Sequence, residues 1–122
     1  MAGRPHRRRP APFLDVDADA GAFGVRPELL AGTFLQDCDA DLRAQAVDHF
    51  ARQSLRVTGQ PVTAAAWQQV PSTYLVCAQD LGTPAERQRE FARRAGRIVE
   101  LGAGHHPFLP QPAVIADRVS GP

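Results

Sequence analysis

The chain has 122 residues and a formal net charge of +1, so it can form one domain and has no general attraction to nucleic acid or anionic membranes. Its two cysteines, Cys38 and Cys77, lie far apart and form no C-x-x-C pair, which favours buried thiols in a reducing compartment over disulfides or a zinc site. No apolar run reaches the roughly 20 residues that a membrane span needs. We expect a cytoplasmic protein without a cofactor or a bound metal.

The first part of the chain is basic and then acidic. Residues 1–12 are rich in arginine and proline and are predicted to be a disordered basic tail. We do not expect this tail to bind nucleic-acid phosphates, because one short basic run is weak support for that role.

The next segment, "DVDADAG", resembles the start of a calcium loop but has Ala20 and Arg26 where that loop needs glycine and glutamate. We expect an acidic surface loop there.

Residues 13–69 are dominated by helical patterns. From about residue 26 to 69, apolar side chains recur at helical spacing. Pro27 suits the first turn of one helix, and Asp39 is predicted to cap the start of a second. The stretch "PVTAAAW" predicts a short third helix that carries Trp67. These helices have apolar faces but little between them to form a closed core, so we interpret the segment as a helical cap that packs on another part of the fold.

Residues 70–122 have the pattern of an α/β unit. The apolar run "STYLVCA" is typical of a strand buried on both faces of a parallel sheet. "TPAERQREFARRAG" predicts a helix with Thr83 as its N-cap, Pro84 in the first position and a glutamate that completes a capping box. "RIVEL" predicts a second strand, and a last helix begins near Pro112. Strand, helix and strand with tight connections indicate two parallel neighbours joined by a right-handed crossover.

Two residues that can carry chemistry follow the two strands. Asp80 lies just past the end of the first strand, and His105 lies just past the end of the second. Adjacent parallel strands are about 4.8 Å apart and functional groups collect at their carboxyl ends, so these side chains can meet. A carboxylate that accepts the Nδ1 proton would leave Nε2 free as a general base. The alternative is that Asp80 only caps a turn and that the adjacent histidines lie at the surface by accident; we assign no role to His106.

The stretches "VPSTYLVCAQDLGTP" and "RIVELGAGHHPFLPQP" resemble the C-terminal end of α/β-hydrolase-fold proteins, above all the esterase-like branch that includes plant methylesterases and hydroxynitrile lyases. In that branch the penultimate core strand ends in an acidic residue and the last strand ends in glycine and histidine. The resemblance implies that Asp80 is the acid and His105 the histidine of a catalytic triad, in the order acid then histidine that the family uses. It also implies that residues 13–69 correspond to the family's cap.

The family's nucleophile is absent from this sequence. That nucleophile is a serine in a G-x-S-x-G turn, whereas Ser54, Ser72 and Ser120, the only serines here, have no such setting. The donors of the oxyanion hole come from the residue after the nucleophile and from an early glycine-rich loop, and they are missing too. Because a triad without its nucleophile retains little catalysis, we expect the isolated chain to have little or no hydrolase activity.

Two hypotheses follow. The first is a hydrolase of the serine-esterase type that acts on a small ester or acyl compound and is completed by a missing N-terminal half. The alternative is a non-enzymatic remnant that binds a partner, or a second copy of itself, through an exposed sheet edge and cap. The sequence does not choose between hydrolysis and lyase-type cleavage, and it does not identify the substrate.

Overall fold

A computed structural model describes residues 9–121, so most of the predicted basic tail lies outside the described residues. Within this range the chain forms five strands and four α-helices. The strands are β1 (Leu14–Asp17), β2 (Ala22–Val25), β3 (Gln53–Ser54), β4 (Thr73–Cys77) and β5 (Arg97–Leu101). The α-helices are α1 (Pro27–Phe34), α2 (Ala40–Val47), α3 (Ala85–Ala92) and α4 (Pro112–Ser120). The strands form an antiparallel sheet in the order β1-β2-β3 and a parallel pair of β4 and β5.

The acidic segment forms part of a β-hairpin: its first residues belong to β1 and residues 18–21 form the turn, so the prediction of a surface loop is correct only for the turn. Strands β1 and β2 pair antiparallel, with Leu14 opposite Val25. The alternation of apolar and acidic residues in "LDVD" has the period of a strand with two different faces. The turn is closed by the Asp17 carboxylate, which accepts the Ala20 N–H at 2.9 Å, and by Gly21, whose φ of 64° suits glycine best.

The helical prediction for the following residues is correct only in part. Helix α1 begins at Pro27, and the Asp39 carboxylate caps α2 by accepting the Leu42 N–H at 2.8 Å. After α2, however, β3 pairs with β2 and is followed by a 3₁₀ helix at Leu55–Gly59. The predicted helix "PVTAAAW" is wrong, because only Ala66–Gln68 forms a 3₁₀ turn. No side chain of that turn is buried, so no apolar face anchors a longer helix.

A buried apolar cluster lies in the segment whose sequence pattern predicts little core of its own. It consists of residues from α1 and the loop after it, namely Leu30, Phe34, Leu35 and Cys38. Leu42 of α2 and Leu109 of the C-terminal unit pack against this cluster. Full burial of a leucine or phenylalanine contributes about 1.5–3 kcal/mol, so this shared cluster ties the cap-like segment to the rest of the chain.

The predicted α/β unit is present. Strands β4 and β5 pair in parallel from Thr73 opposite Arg97 onward, α3 packs on β4, and Ala92 of α3 is fully buried. The capping box is wrong: Pro84 is the N-cap and no side chain caps α3. The Thr83 N–H that a capping box needs donates instead to Asp80 Oδ1 at 2.9 Å.

Candidate active site

The two loops that follow β4 and β5 run side by side. The Ala78 N–H donates to the Leu101 carbonyl at 2.9 Å, and the Gln79 N–H donates to the Ala103 carbonyl at 3.0 Å. These bonds continue the parallel pairing beyond the strands. As a result, Nδ1 of His105 lies 2.8 Å from Oδ2 of Asp80, which is the contact that the sequence predicts.

Asp80 is buried and its carboxylate is fully engaged. Oδ1 accepts the N–H groups of Gly82 at 2.8 Å and Thr83 at 2.9 Å, while Oδ2 accepts from His105 and from Nε2 of Gln88 at 3.1 Å. The two interpretations that the sequence left open are therefore compatible. One oxygen closes the turn before α3, and the other bonds to the imidazole. Four donors hold the carboxylate in one orientation.

Gln88 is a site residue that the sequence reasoning missed. It is 4% exposed, and its Oε1 accepts the Cys77 N–H at 2.8 Å. Its Nε2 donates to the Thr83 carbonyl at 2.7 Å as well as to Asp80. The signal in the sequence is a polar residue four positions before Ala92, on the inner face of a helix. Gln88 thus joins the end of β4 to the acid.

His105 has the orientation that general-base chemistry requires. A carboxylate can only accept, so Nδ1 carries the proton in the bond to Asp80 and Nε2 is left as the acceptor. The ring of Phe34 lies edge-on to the imidazole with centroids 4.7 Å apart. The His105 side chain is 30% exposed, so a reacting group can reach it. Within residues 9–121, no three metal-ligating side chains form a group that could hold an ion.

His106 lies among aromatic rings, a setting that the sequence did not reveal. Its ring contacts those of His105, Phe50 and Phe108 with centroids 4.8, 5.7 and 5.5 Å apart. Its Nε2 is buried without a hydrogen-bond partner among the described residues. Burial lowers the pKa of His106 from its ordinary value, and the nearby His105 lowers the pKa further. The neutral form of the His106 imidazole is therefore favoured.

Two cavities flank the histidine pair. One, of about 480 Å³, is lined by His106 and mainly by apolar side chains of α2, the segment after it and the loop before α4, which include Leu42, Ala46, Phe50, Phe108 and Leu109. The other, of about 320 Å³, is bordered directly by Asp80 and His105 together with β4 residues such as Tyr74 and Leu75. Both volumes are in the range of small-molecule sites. The larger cavity reaches His106 but not His105 itself.

Comparison with known proteins identifies the family of this chain. The family model described as "Alpha/beta hydrolase family" matches residues 1–118. The alpha/beta hydrolase nvfD of Aspergillus novofumigatus is 33% identical over 85 residues, which cover 67% of this chain and 34% of that protein. The chain belongs to the α/β-hydrolase family, and the resemblance stated from the sequence is confirmed.

Solved structures show the same fold. Polyneuridine aldehyde esterase superposes with a TM-score of 0.70 at 19% identity, over 80% of this chain and 41% of that one. A pyrethroid hydrolase from Sphingobium faniae superposes with a TM-score of 0.70 at 21% identity, over 98% of this chain and 51% of that one. The predicted fold class, part of an α/β-hydrolase fold, is confirmed. The chain spans between one third and about one half of the length of these relatives.

No helix within residues 9–121 is long and apolar enough to cross a membrane.

Proposed function

We propose that this chain provides the acid, the base and the cap of a serine-hydrolase-type site that cleaves a small ester. The observation that supports the proposal is the bond of 2.8 Å between Asp80 Oδ2 and His105 Nδ1 at the ends of adjacent parallel strands. Family membership supports hydrolase chemistry, and the esterase and the pyrethroid hydrolase among the structural neighbours favour an ester substrate.

In this proposal His105 transfers the proton, and Asp80 orients the imidazole ring of His105. Nε2 of His105 takes the proton of an attacking hydroxyl and later gives it to the leaving alcohol, while Asp80 stabilises the imidazolium that forms in between. Because the 122 residues contain no G-x-S-x-G turn, the hydroxyl and the oxyanion-hole donors come from outside this sequence. The isolated chain therefore has little activity.

The cap-like segment, residues 13–69, is proposed to shape the substrate pocket. Helix α2 and Phe50 form one wall of the cavity of about 480 Å³, and the loop that follows His105 forms the other. The lining is mostly apolar, and the pKa of His106, which also lines the cavity, is lowered by burial, so its neutral form is favoured. Such a cavity accommodates an uncharged, apolar part of an ester better than an ionised group.

Complementation tests the proposal. The chain is co-expressed with the N-terminal half of a related α/β-hydrolase that carries a G-x-S-x-G serine, and hydrolysis of a chromogenic short-chain ester is measured together with labelling by a fluorophosphonate. We expect turnover and labelling of the added serine. His105→Ala should reduce turnover by at least about 10³-fold, as loss of a triad histidine does elsewhere.

Asp41→Ala is the control, because Asp41 is an exposed residue in the first turn of α2 that lines neither of the two cavities beside the histidine pair. It should leave turnover within about twofold. Turnover that survives His105→Ala would show that His105 is not the base. Labelling of a serine in the isolated chain would show that no external nucleophile is needed.

A second candidate function is association without catalysis. Within residues 9–121, β4 and β5 pair only with each other, and apolar side chains such as Ile98 on β5 are about half exposed. An unpaired edge and exposed apolar faces favour binding to an N-terminal half of the fold, to another protein or to a second copy. Light scattering after size-exclusion chromatography tests self-association, which a monomer at all concentrations would exclude.

A further inference from the structure

Two adjacent residues of the loop between α1 and α2 bond to both loops of the acid–base pair. Nε2 of Gln36 donates to the Gln79 carbonyl at 2.8 Å, and Oδ2 of Asp37 accepts the Gly104 N–H at 2.7 Å. Gln79 immediately precedes Asp80, and Gly104 immediately precedes His105. We propose that Gln36 and Asp37, which we call the cap clamp, are positioning residues that set the distance between the acid and the base. This inference rests on the proposed function for its catalytic meaning.

The clamp is itself held firmly. Leu35 before it is fully buried and Cys38 after it is 5% exposed, so both flanks are anchored in the apolar cluster. Arg43 of α2 donates through Nε to the Leu35 carbonyl at 3.0 Å and through Nη2 to the Gln36 carbonyl at 3.1 Å. The main chain of the clamp therefore cannot move without disturbing the core of the cap-like segment.

The clamp also explains the glycine at residue 104. Gly104 is buried, and a β-carbon there would lie 2.8 Å from Oδ1 of Asp37 and 3.0 Å from Nε2 of Gln36. Gly102, two residues earlier in the same loop, would meet nothing within 4 Å. Of these two glycines, only Gly104 is required for the close approach of another part of the chain. That part is the cap clamp.

The bond from Gly104 to Asp37 controls His105 through the main chain. A hydrogen bond to a partly buried carboxylate is among the stronger ones in proteins, and it fixes the peptide group one residue before the imidazole. The clamp holds the Asp80 loop through Gln36 at the same time. Loss of the clamp would leave the two loops held only by their direct main-chain bonds, so the peptide before His105 could shift, and a displacement of about 1 Å is enough to weaken catalysis by orders of magnitude.

The experiment compares variants of the full chain by NMR. Asp37→Ala removes the acceptor, and Asp37→Asn keeps the size of the side chain without its charge. Gly104→Ala adds a methyl group that displaces the clamp side chains from the His105 loop. Asp41→Ala, at an exposed acid in the first turn of α2, and Gly102→Ala are the matched controls. The readouts are hydrogen exchange of the Gly104 amide and the ring nitrogen shifts of His105, which report its tautomer.

We expect Asp37→Ala to speed exchange of the Gly104 amide about tenfold or more, because a charge-assisted bond is lost. In both Asp37→Ala and Gly104→Ala, His105 should lose its uniform Nδ1–H tautomer and become a mixture. The controls should match the wild type. Asp37→Asn should act in the same direction with a smaller effect, and it provides the test if the alanine variant unfolds.

An unchanged His105 tautomer in the folded Asp37 and Gly104 variants would overturn the proposal. Unfolding of every Asp37 and Gly104 variant while the controls fold would also overturn it, because the clamp would then serve only stability. None of these readouts needs a substrate. If the NMR readouts change as expected but the complemented enzyme shows no turnover, the result would contradict the proposed function and still support the positioning role of the clamp.

In an active complemented enzyme, Asp37→Ala should lower kcat about tenfold and leave KM within about twofold.

Discussion

The ring of Phe34 lies so close to Gly82 that a β-carbon at residue 82 would come within 2.5 Å of its Cε1 atom. The same ring lies edge-on to His105 at 4.7 Å. Phe34 ends α1, and Gly82 follows the acid in the loop after β4. One buried phenylalanine therefore packs against the acid loop and the histidine together, so the packing of the cap-like segment and the geometry of the candidate site depend on each other.

Gly82→Ala should lower the free energy of unfolding by about 1–3 kcal/mol, since the added methyl group forces the Phe34 ring out of its position. Gly32→Ala is the matched control, because Gly32 lies inside α1 and a β-carbon there would meet nothing within 4 Å. That control should raise stability by about 0.5–1 kcal/mol, as alanine favours helix over glycine. Urea denaturation measures both. Equal stability of Gly82→Ala and the wild type would contradict the close approach.

Gln88→Leu should destabilise the chain by about 2–4 kcal/mol, because it leaves the buried Cys77 N–H and the Thr83 carbonyl without their partner at little change in volume. It also removes one donor from Asp80. Gln45→Leu, at an exposed position of α2, is the control and should change stability by less than about 0.5 kcal/mol. Thermal unfolding followed by circular dichroism compares the two variants, and similar melting temperatures for Gln88→Leu and Gln45→Leu would contradict the role of Gln88.

The acid–base contact could be predicted because each step to it is local. An apolar run, a helix with a clear start and a second apolar run define a parallel pair, and the chain places Asp80 and His105 at the same edge of that pair. Strand spacing then brings the two side chains within reach. The partners around them could not be predicted in this way. Gln88, Asp37 and Phe34 reach the site through tertiary packing. For Gln88 the sequence shows only a polar residue on the inner face of a helix, and for Asp37 and Phe34 nothing in the neighbouring sequence indicates the contact.

The errors in the cap-like segment have a similar origin. Apolar residues at helical spacing did form α1 and α2, but the hairpin of β1 and β2 is stabilised partly by β3, which comes almost 30 residues later in the chain. Pairing over that separation leaves no local signal in a two-residue strand. The failed capping box before α3 is also a tertiary effect, since the Thr83 N–H is bonded to a carboxylate whose position depends on Gln88 and His105.

Both cysteines should react slowly in the folded chain. Cys38 and Cys77 are 5% and 8% exposed, and burial raises the pKa of each thiol above its ordinary value, so little thiolate is present at pH 7. Alkylation by iodoacetamide, followed by mass spectrometry, should be at least about tenfold slower in buffer than in urea. Rapid modification of either cysteine in buffer, at the rate of the unfolded chain, would contradict its burial.

Stability should depend on pH through His106. Its pKa in the folded chain is lowered from the ordinary 6.5, first by burial and then by His105, against the opposing influence of Asp80 and Asp37. Between the lowered and the ordinary pKa the unfolded chain binds more protons, so the free energy of unfolding falls as the pH decreases through that window. Above the ordinary value this contribution is fully present.

The comparison of wild type with His106→Gln isolates this effect, since the substituted side chain does not titrate and all other groups are shared. Urea denaturation from about pH 7.5 to about pH 5 should show that the wild type loses more stability than the variant, with the difference developing below the ordinary histidine pKa. Gln45→Leu is the control, because Gln45 is exposed and carries no titratable group, so this variant should show the pH dependence of the wild type. Parallel curves for wild type and His106→Gln would show that His106 can be protonated in the folded chain without cost, and would remove the argument that it forms a neutral wall of the larger cavity.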